Sequence, residues 1–190
     1  MRSITDSYWT NFILGDKTAF ESVYQSFLPN LYGYGMRRVA DESIVRDAIQ
    51  DVFVRLWEGR HLLSHIDNPK YYLLMSLKNC ILNMQARDSR LRSISEADEY
   101  AFHFNLESEI LKTEEEKAKI ENLSKALKNL TSKQREFIYL RYFEELSYDE
   151  IHKLTNISTK SLYKLNRRSI DVLKDAMNLP KTDVLFLLAM

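Results

Sequence analysis

Residues 146–168 read LSYDEIHKLTNISTKSLYKLNRR, a stretch that contains two helix-start signals separated by one tight turn. In the first signal, Ser147 and Glu150 stand three positions apart. This is the spacing of a capping box, in which each of the two side chains bonds the backbone N–H of the other residue. The sequence therefore predicts that a short helix begins at Tyr148.

A second helix is predicted to follow almost at once. Asn156 tolerates the left-handed backbone conformation that can end a helix, and Ser158 can cap the next one. Two short helices joined by one tight turn are typical of a helix-turn-helix, whose second helix enters the major groove of duplex DNA. The second helix is expected to span residues 159–168 or to extend beyond them.

The predicted second helix has a basic, polar surface. Helical periodicity assigns its apolar residues to the core side, namely Leu162, Leu165, Ile170 and Leu173. The other side is predicted to face DNA with cations and neutral hydrogen-bonding groups, namely Lys160, Lys164, Arg167, Arg168, Ser161, Tyr163 and Asn166. The alternative is that two capped helices with a basic face form only a small helical bundle.

Helical patterns also occupy the rest of the chain. A second capping box, Thr131 with Gln134, predicts a supporting helix through Phe143. The chain has only 4 Gly and 3 Pro, and its apolar residues recur every three or four positions. These features predict an all-α fold, because alternation of apolar and polar residues would be expected for strands.

The N-terminal half is predicted to contain several helices. The first is capped by Asp16 and is expected to be interrupted by Pro29 before a second apolar segment. A longer helix, Glu42–Glu58, is expected to end at Gly59 and to bury one ridge, namely Val45, Ala48, Ile49, Val52, Phe53 and Leu56. A further helix is expected at Asn68-Pro69, with an apolar ridge formed by Leu73, Leu77, Ile81 and Met84.

Charge is balanced over the whole chain but segregated by segment. The 27 Lys and Arg residues equal the 27 Asp and Glu residues. However, residues 70–92 carry five basic residues and one acid, whereas residues 93–116 carry eight acids and one lysine. We therefore predict two small helical domains, residues 1–92 and 117–178, joined by an acidic linker at 93–116 and followed by an apolar tail at 179–190.

Other functional classes find little support in the sequence. The lone Cys80 cannot form an internal disulfide, and the beginning of the chain lacks a signal-peptide core, which favours a cytoplasmic location. His61 and His65 have a spacing that zinc can use on a helix, but they fall in a predicted loop without a third ligand, so no metal is expected. The sequence contains neither an acid and base pair nor a glycine-rich phosphate loop that would indicate catalysis. We therefore expect no enzyme activity, cofactor or small-molecule substrate.

Two segments resemble the sigma factors of bacterial RNA polymerase. DAIQDVFVRLWE at residues 47–58 is similar to the region 2 helix of that family, and LTSKQRE at 130–136 followed by LRYFEELSYDEI at 140–151 resembles the start of region 4. With no region 1 and no full region 3, the resemblance is to the minimal, extracytoplasmic-function group. The SLYKL motif at 161–165 and the apolar tail resemble versions from Bacteroides-like bacteria.

This resemblance implies that the chain directs core RNA polymerase to promoters. In the family, the region 2 helix binds the clamp helices of the largest polymerase subunit. The matching helix here has a mostly acidic stripe opposite its apolar ridge that would suit a basic partner, namely Asp47, Gln50, Asp51, Val54 and Glu58. The alternative is an ordinary solvated helix face.

The resemblance also assigns contacts with promoter DNA. The loop at residues 60–67 and the helix after it would read the minus-ten element as single-stranded DNA, through His61, Asn79, Asn83, Arg87 and Arg90. The second helix of the helix-turn-helix would read the minus-thirty-five element as a duplex, through Thr159, Lys160, Ser161, Tyr163, Lys164, Arg167 and Arg168. Leu165 and Asn166 depart from the family pattern, which leaves the register of exposed and buried positions there open by one residue.

An inhibitory partner and two alternative functions are also open to this chain. Family members are commonly held inactive by a membrane-anchored anti-sigma factor, and the resemblance implies such a partner. A stand-alone helix-turn-helix regulator would instead bind a palindromic duplex without polymerase, and a protein-interaction module would bind DNA without steep salt dependence. The apolar residues 184–190 are expected to pack on region 4, to dock a partner or to mediate self-association.

Overall fold

The structure, a computed structural model, describes residues 4–91 and 114–189, and every regular element in these two stretches is a helix. The predicted all-α fold is confirmed. The chain divides into two compact units, unit 1 (Met1–Glu99) and unit 2 (Tyr100–Met190). The predicted acidic linker lies outside the described residues, except for residues 114–116, which begin the first helix of unit 2.

Unit 1 consists, in its described part, of four α-helices and one short 3-10 turn. The helices are α1 (Ile4–Ile13), α2 (Lys17–Arg38), α3 (Glu42–Glu58) and α4 (Pro69–Leu91), and the turn is Arg60–Leu62. α3 contacts both α2 and α4, and α1 contacts α2. α1 was not predicted from the sequence, and it is held by burial of Trp9 and Phe12.

α3 begins and ends where the sequence predicted, and α4 begins where it was predicted to begin. In α3 the six ridge residues are all buried, and the helix ends at Gly59. In α4 the side-chain oxygen of Asn68 accepts a hydrogen bond from the backbone N–H of Tyr71 at 3.1 Å, directly ahead of Pro69. The apolar ridge with Gly59 was therefore sufficient to place α3, and the Asn68 cap was sufficient to place the start of α4.

The predicted interruption at Pro29 is wrong. α2 runs unbroken with the exposed Pro29 inside it. A proline inside a helix costs roughly 3 kcal/mol, because it removes one hydrogen bond and crowds the preceding turn. Burial of a large apolar side chain contributes about 1.5–3 kcal/mol. α2 buries four such side chains, two on each side of the proline, namely Val23, Phe27, Leu31 and Tyr34.

Replacing Pro29 by alanine should stabilise unit 1 by about 2 kcal/mol. Alanine restores the missing backbone N–H, although part of the gain is offset because the unfolded chain regains freedom that proline removes. Urea unfolding followed by tryptophan fluorescence measures the change, since Trp9 and Trp57 are the two tryptophans and both lie in unit 1. The exposed Gln25→Ala on the same helix is the control; an equal midpoint shift in both variants would contradict the prediction.

Unit 2 is built around one central helix. Its described elements are α5 (Glu114–Leu127), α6 (Ser132–Ile138), a π-helical turn (Tyr139–Phe143), α7 (Tyr148–Thr155), α8 (Thr159–Met177) and α9 (Lys181–Leu188). α8 contacts each of the other four α-helices. The core around it is formed by fully buried side chains, including Leu127, Phe137, Ile138, Leu162, Ile170 and Leu173.

Both predicted capping boxes of unit 2 are present. Thr131 with Gln134 begins α6, and Ser147 with Glu150 begins α7. The regular helix predicted through Phe143 ends instead at Ile138, where the chain widens into the π-helical turn. This turn buries Tyr139, whose hydroxyl donates to the buried carboxylate of Glu144 at 2.5 Å.

The apolar C-terminal segment packs on unit 2, which was one of its three predicted roles. α9 contacts α8 and α5 and buries Val184 and Leu188, whereas Phe186 is 69% exposed. None of the helices that the structure describes combines the length and the apolar character needed to cross a lipid bilayer.

Candidate nucleic-acid interface

The five residues of the predicted acidic stripe lie on the outer side of α3. Asp47, Gln50, Val54 and Glu58 are exposed, and Asp51 is half-buried. Asp51 is turned toward α4, because its Oδ2 lies 3.8 Å from Sγ of Cys80, and the same oxygen lies 3.4 Å from Nη2 of Arg55 on α3. The face is therefore less acidic than the sequence analysis expected, with one carboxylate already paired.

A groove between α2 and α3, absent from the sequence analysis, borders this stripe. It has a volume of about 910 Å³, and Gln50, Val54 and Glu58 contribute to its lining. Aromatic pairs line the same groove: the ring centroids of Phe20 and Trp57 lie 5.1 Å apart, and those of Tyr24 and Phe53 lie 4.7 Å apart. Only the packing of α2 against α3 brings these residues together.

The loop after α3 begins with an anchored arginine. The guanidinium of Arg60 lies 4.4 Å from the Trp57 ring centroid, and its Nη1 donates to the Trp57 carbonyl at 2.7 Å. His61 follows in the 3-10 turn and is exposed, as is His65. In the described residues no group of three or more His, Cys, Asp or Glu is arranged to hold a metal ion.

The predicted minus-ten residues on α4 form one exposed stripe. Asn79, Asn83 and Arg87 are exposed at intervals of one helical turn. Asn79 and Asn83 border a pocket of about 220 Å³ beside α3, which His61 does not line. Arg90 lies on the last turns of α4, and its side chain lies outside the described residues.

Cys80 lies between these two surfaces and is buried. Burial raises the pKa of its thiol, and the nearby carboxylate of Asp51 raises it further. A thiol with a raised pKa is a poor nucleophile at neutral pH. Cys80 therefore has the character of a packing residue.

The helix-turn-helix has the predicted geometry. Asn156 adopts the left-handed conformation at φ 60°, and Oγ of Ser158 accepts from the backbone N–H of Ser161 at 3.3 Å. Six of the seven predicted minus-thirty-five residues are exposed, and Thr159 is half-buried. The exposed six are Lys160, Ser161, Tyr163, Lys164, Arg167 and Arg168.

Asn166 does not belong to the free polar surface of α8, contrary to the prediction. Its Nδ2 donates to the hydroxyl of Tyr148 at 2.8 Å, and its Oδ1 accepts from the hydroxyl of Tyr142 at 3.1 Å. Burial raises the pKa of Tyr142, so its hydroxyl stays protonated and able to donate. The register of α8 is also resolved: Leu162, Ser169, Ile170 and Leu173 are the buried positions, and Leu165 is half-buried.

Tyr148 is the centre of an aromatic cluster that the sequence analysis missed. The ring of Tyr163 stacks on the ring of Tyr148, with centroids 4.1 Å apart and planes inclined by 16°. The guanidinium of Arg141 lies 5.4 Å from the same ring centroid, and its Nη1 donates to the Leu146 carbonyl at 2.9 Å. The cluster thus joins the π-helical turn, α7 and α8.

Comparisons with known proteins agree with this arrangement. The family model described as Sigma-70 region 2 matches residues 23–91, and that described as Sigma-70, region 4 matches residues 120–169. Together the two matches span more than half of the chain. The chain belongs to the sigma-70 family. It thus directs core RNA polymerase to promoters for transcription initiation, and sigma factors are generally not enzymes.

One curated relative matches most of this sigma factor. This relative is "ECF RNA polymerase sigma factor SigX" of Bacillus subtilis (strain 168), to which the chain is 21% identical over 169 residues that cover 87% of each chain. The two matched regions and this relative together support placing the chain in the extracytoplasmic-function (ECF) group of sigma factors.

Two solved structures have the same fold as the sigma factor. One is the sigma factor RpoE in complex with the anti-sigma factor NepR from Bartonella quintana, with a TM-score of 0.58, 18% identity, and coverage of 84% of this chain and 96% of that chain. The other is CnrH in complex with the cytosolic domain of CnrY, with a TM-score of 0.53, 17% identity, and coverage of 90% and 96%.

Proposed function

We propose that this sigma factor belongs to the Bacteroides-like subgroup of the ECF group and acts in the cytoplasm. The SLYKL motif at residues 161–165 and the apolar C-terminal segment support the subgroup. The proposed domains are residues 1–92 for region 2 and 117–178 for region 4, with a linker at 93–116 and a tail at 179–190. The observation that carries the proposal is the presence of both regions in one chain, each with an exposed charged helix face.

Unit 1 is proposed to bind the clamp helices of the largest polymerase subunit through the outer side of α3. Exposure of Asp47, Gln50, Val54 and Glu58 supports this role. The paired Asp51 contributes less charge than Asp47, because Arg55 already partly neutralises it.

The minus-ten element is proposed to contact α4 and the preceding turn. Asn79 and Asn83 offer exposed amides beside a small pocket, and amides can bond the edges of unpaired bases. Arg87 lies one turn further along the same face and would hold a phosphate, as would Arg90. His61 adds a polar, exposed group in the turn before α4.

The minus-thirty-five element is proposed to contact the first half of α8. Its exposed cations would hold phosphates on both sides of the major groove, and its exposed neutral side chains would reach base edges. The hydroxyl of Ser161 also bonds Oγ of Ser158 at 2.9 Å, so this residue serves the helix cap as well.

An anti-sigma factor anchored in the membrane is proposed as the inhibitor. One of the solved structures described above contains a sigma factor with an anti-sigma factor, and the other contains CnrH with the cytosolic domain of CnrY. The groove between α2 and α3 supports such a partner here, because it is apolar, aromatic and continuous with the proposed polymerase face. A protein that covers it would exclude polymerase.

The proposed function is tested by co-purification with core RNA polymerase, followed by run-off transcription on candidate promoters. Wild-type chain should bind core polymerase from a Bacteroides species more tightly than a proteobacterial core enzyme, and should start transcription at defined sites. Failure to bind the cognate core enzyme, together with a shift of a palindromic duplex, would favour a stand-alone regulator. Equal use of both core enzymes would contradict only the subgroup.

Replacing Lys160 and Lys164 together by alanine should weaken holoenzyme binding to all duplexes by a similar factor. Each lost phosphate contact should make the negative slope of log affinity against log salt less steep by about one. Titration of holoenzyme against promoter and non-promoter duplexes at several salt concentrations measures both effects. Lys174→Ala on the last turns of α8 is the control, and a slope that matches this control would exclude both lysines from phosphate contact.

A further inference from the structure

Tyr163 lies among the cations that the proposed function assigns to the minus-thirty-five element. On α8, positions 160, 163, 164 and 167 share one face, since they are three or four residues apart. Tyr163 is 60% exposed, which is high for so large an aromatic side chain. An aromatic ring in this place needs a reason beyond core packing.

The ring of Tyr163 is held in a fixed orientation. Its stacking on Tyr148, at 4.1 Å between centroids and 16° between planes, restricts both of its side-chain torsions. A side chain that is ordered before binding loses less rotamer entropy when it meets its ligand. Rigid aromatic side chains are suited to contact surfaces for the same reason.

Asn166 holds the supporting ring of Tyr148 in turn. Both ends of its amide are engaged, one with the Tyr148 hydroxyl at 2.8 Å and the other with the Tyr142 hydroxyl at 3.1 Å. These bonds link α8 to α7 and to the π-helical turn, across 18 and 24 positions of the sequence. Asn166, itself half-buried, therefore sets the position of an exposed ring.

We propose that Asn166 is a positioning residue for minus-thirty-five recognition: by bridging Tyr142 and Tyr148 it presents the stacked ring of Tyr163 to a thymine methyl group in the major groove. The inference rests on the proposed function. The thymine methyl is the one apolar group that a base pair offers in the major groove, and an apolar side chain is its expected reader. The flanking lysines would place the helix on the phosphates, and the ring would discriminate the base.

The test uses holoenzyme and a promoter duplex on which that holoenzyme starts transcription. Each thymine of the minus-thirty-five element is replaced in turn by deoxyuridine, which removes only the methyl group. Wild-type holoenzyme should lose about fourfold in affinity at one position, as expected for one buried methyl group. Tyr163→Phe should keep this loss, and Tyr163→Ala should abolish it.

The role of Asn166 is tested with the same duplexes. The deoxyuridine factor is the loss of affinity that follows replacement of the contacted thymine by deoxyuridine. Asn166→Ala should reduce this factor to less than about 1.5-fold. Tyr148→Phe, which deletes one hydrogen bond and keeps the ring, should reduce it in part. Circular dichroism shows whether each variant is folded at the temperature of the measurement. Asn122→Ala, an exposed asparagine on α5, is the matched control and should keep the full factor.

The outcomes separate this inference from the function on which it rests. A wild-type chain that neither forms a holoenzyme nor starts transcription overturns the proposed function. A working holoenzyme in which no deoxyuridine effect depends on Tyr163, or in which Tyr163→Phe loses the effect as Tyr163→Ala does, overturns the thymine contact. An Asn166→Ala holoenzyme that is weaker on every duplex but keeps the full factor shows that Asn166 only stabilises the fold.

Discussion

Replacing Asp47 and Asp51 by arginine should lower the affinity of the sigma factor for core RNA polymerase about 100-fold or more. The two carboxylates lie one turn apart on the outer side of α3. The double change removes two attractive charges and adds two repulsive ones against a basic partner surface. Like charges brought together at an interface cost several kcal/mol, and roughly 2.8 kcal/mol corresponds to 100-fold. Titration of labelled chain with core polymerase measures the affinity.

A matched control exists on another helix. Asp171 and Asp175 on α8 are likewise two aspartates one turn apart, and both are exposed, so Asp171→Arg with Asp175→Arg makes the same change in net charge. This control should bind core polymerase as the wild type does. Asp47→Arg alone should account for most of the loss, because Asp51 is paired with Arg55. Equal weakening by both double variants would mean that net charge, and not the α3 face, governs binding.

Truncation of Phe137 to alanine should destabilise unit 2 by about 3–5 kcal/mol. Phe137 is 1% exposed, and its ring centroid lies 5.9 Å from that of Tyr148, so it supports both the core and the aromatic cluster. A loss of this size is a large fraction of the stability of a small domain. The part of the helical circular dichroism signal that comes from unit 2 should be lost at a lower urea concentration than in the wild type. The urea transition followed by tryptophan fluorescence, which reports on unit 1, should change little.

Phe137→Leu keeps most of the buried volume and should cost about 1 kcal/mol. Phe137→Ala should also abolish transcription that depends on the minus-thirty-five element while core polymerase binding persists. If Phe137→Ala gave the same circular dichroism transition in urea as the wild type, the predicted destabilisation would be wrong. Neighbouring side chains would then fill the space that the ring leaves. A fluorescence transition that moves together with it would show that the two units unfold as one.

Much of the helical organisation follows from local sequence signals. The capping boxes at Thr131 and Ser147, the Asn68 cap and the ridge of α3 were all predicted and are all present. Each depends on residues within about four positions of one another, so the chain encodes them without reference to the fold. The exposed cations of the helix-turn-helix follow from the same periodicity.

Other features could not be predicted in this way. Pro29 was expected to break α2, and only the burial of side chains on both sides of it explains why the helix continues. α1 was missed because its burial, and not a sequence signal, holds it. Asp51 was assigned to an open acidic stripe, and the packing of α4 against α3 turns it toward Cys80.

Local sequence signals were enough to place the starts of the capped helices, the two family regions and most of the charged faces. Packing between helices places Asn166 in an aromatic cluster and opens the groove between α2 and α3. Helix caps and amphipathic periodicity act over a few residues, whereas these contacts join residues far apart in the chain. Their partners are chosen by packing, which no local pattern records.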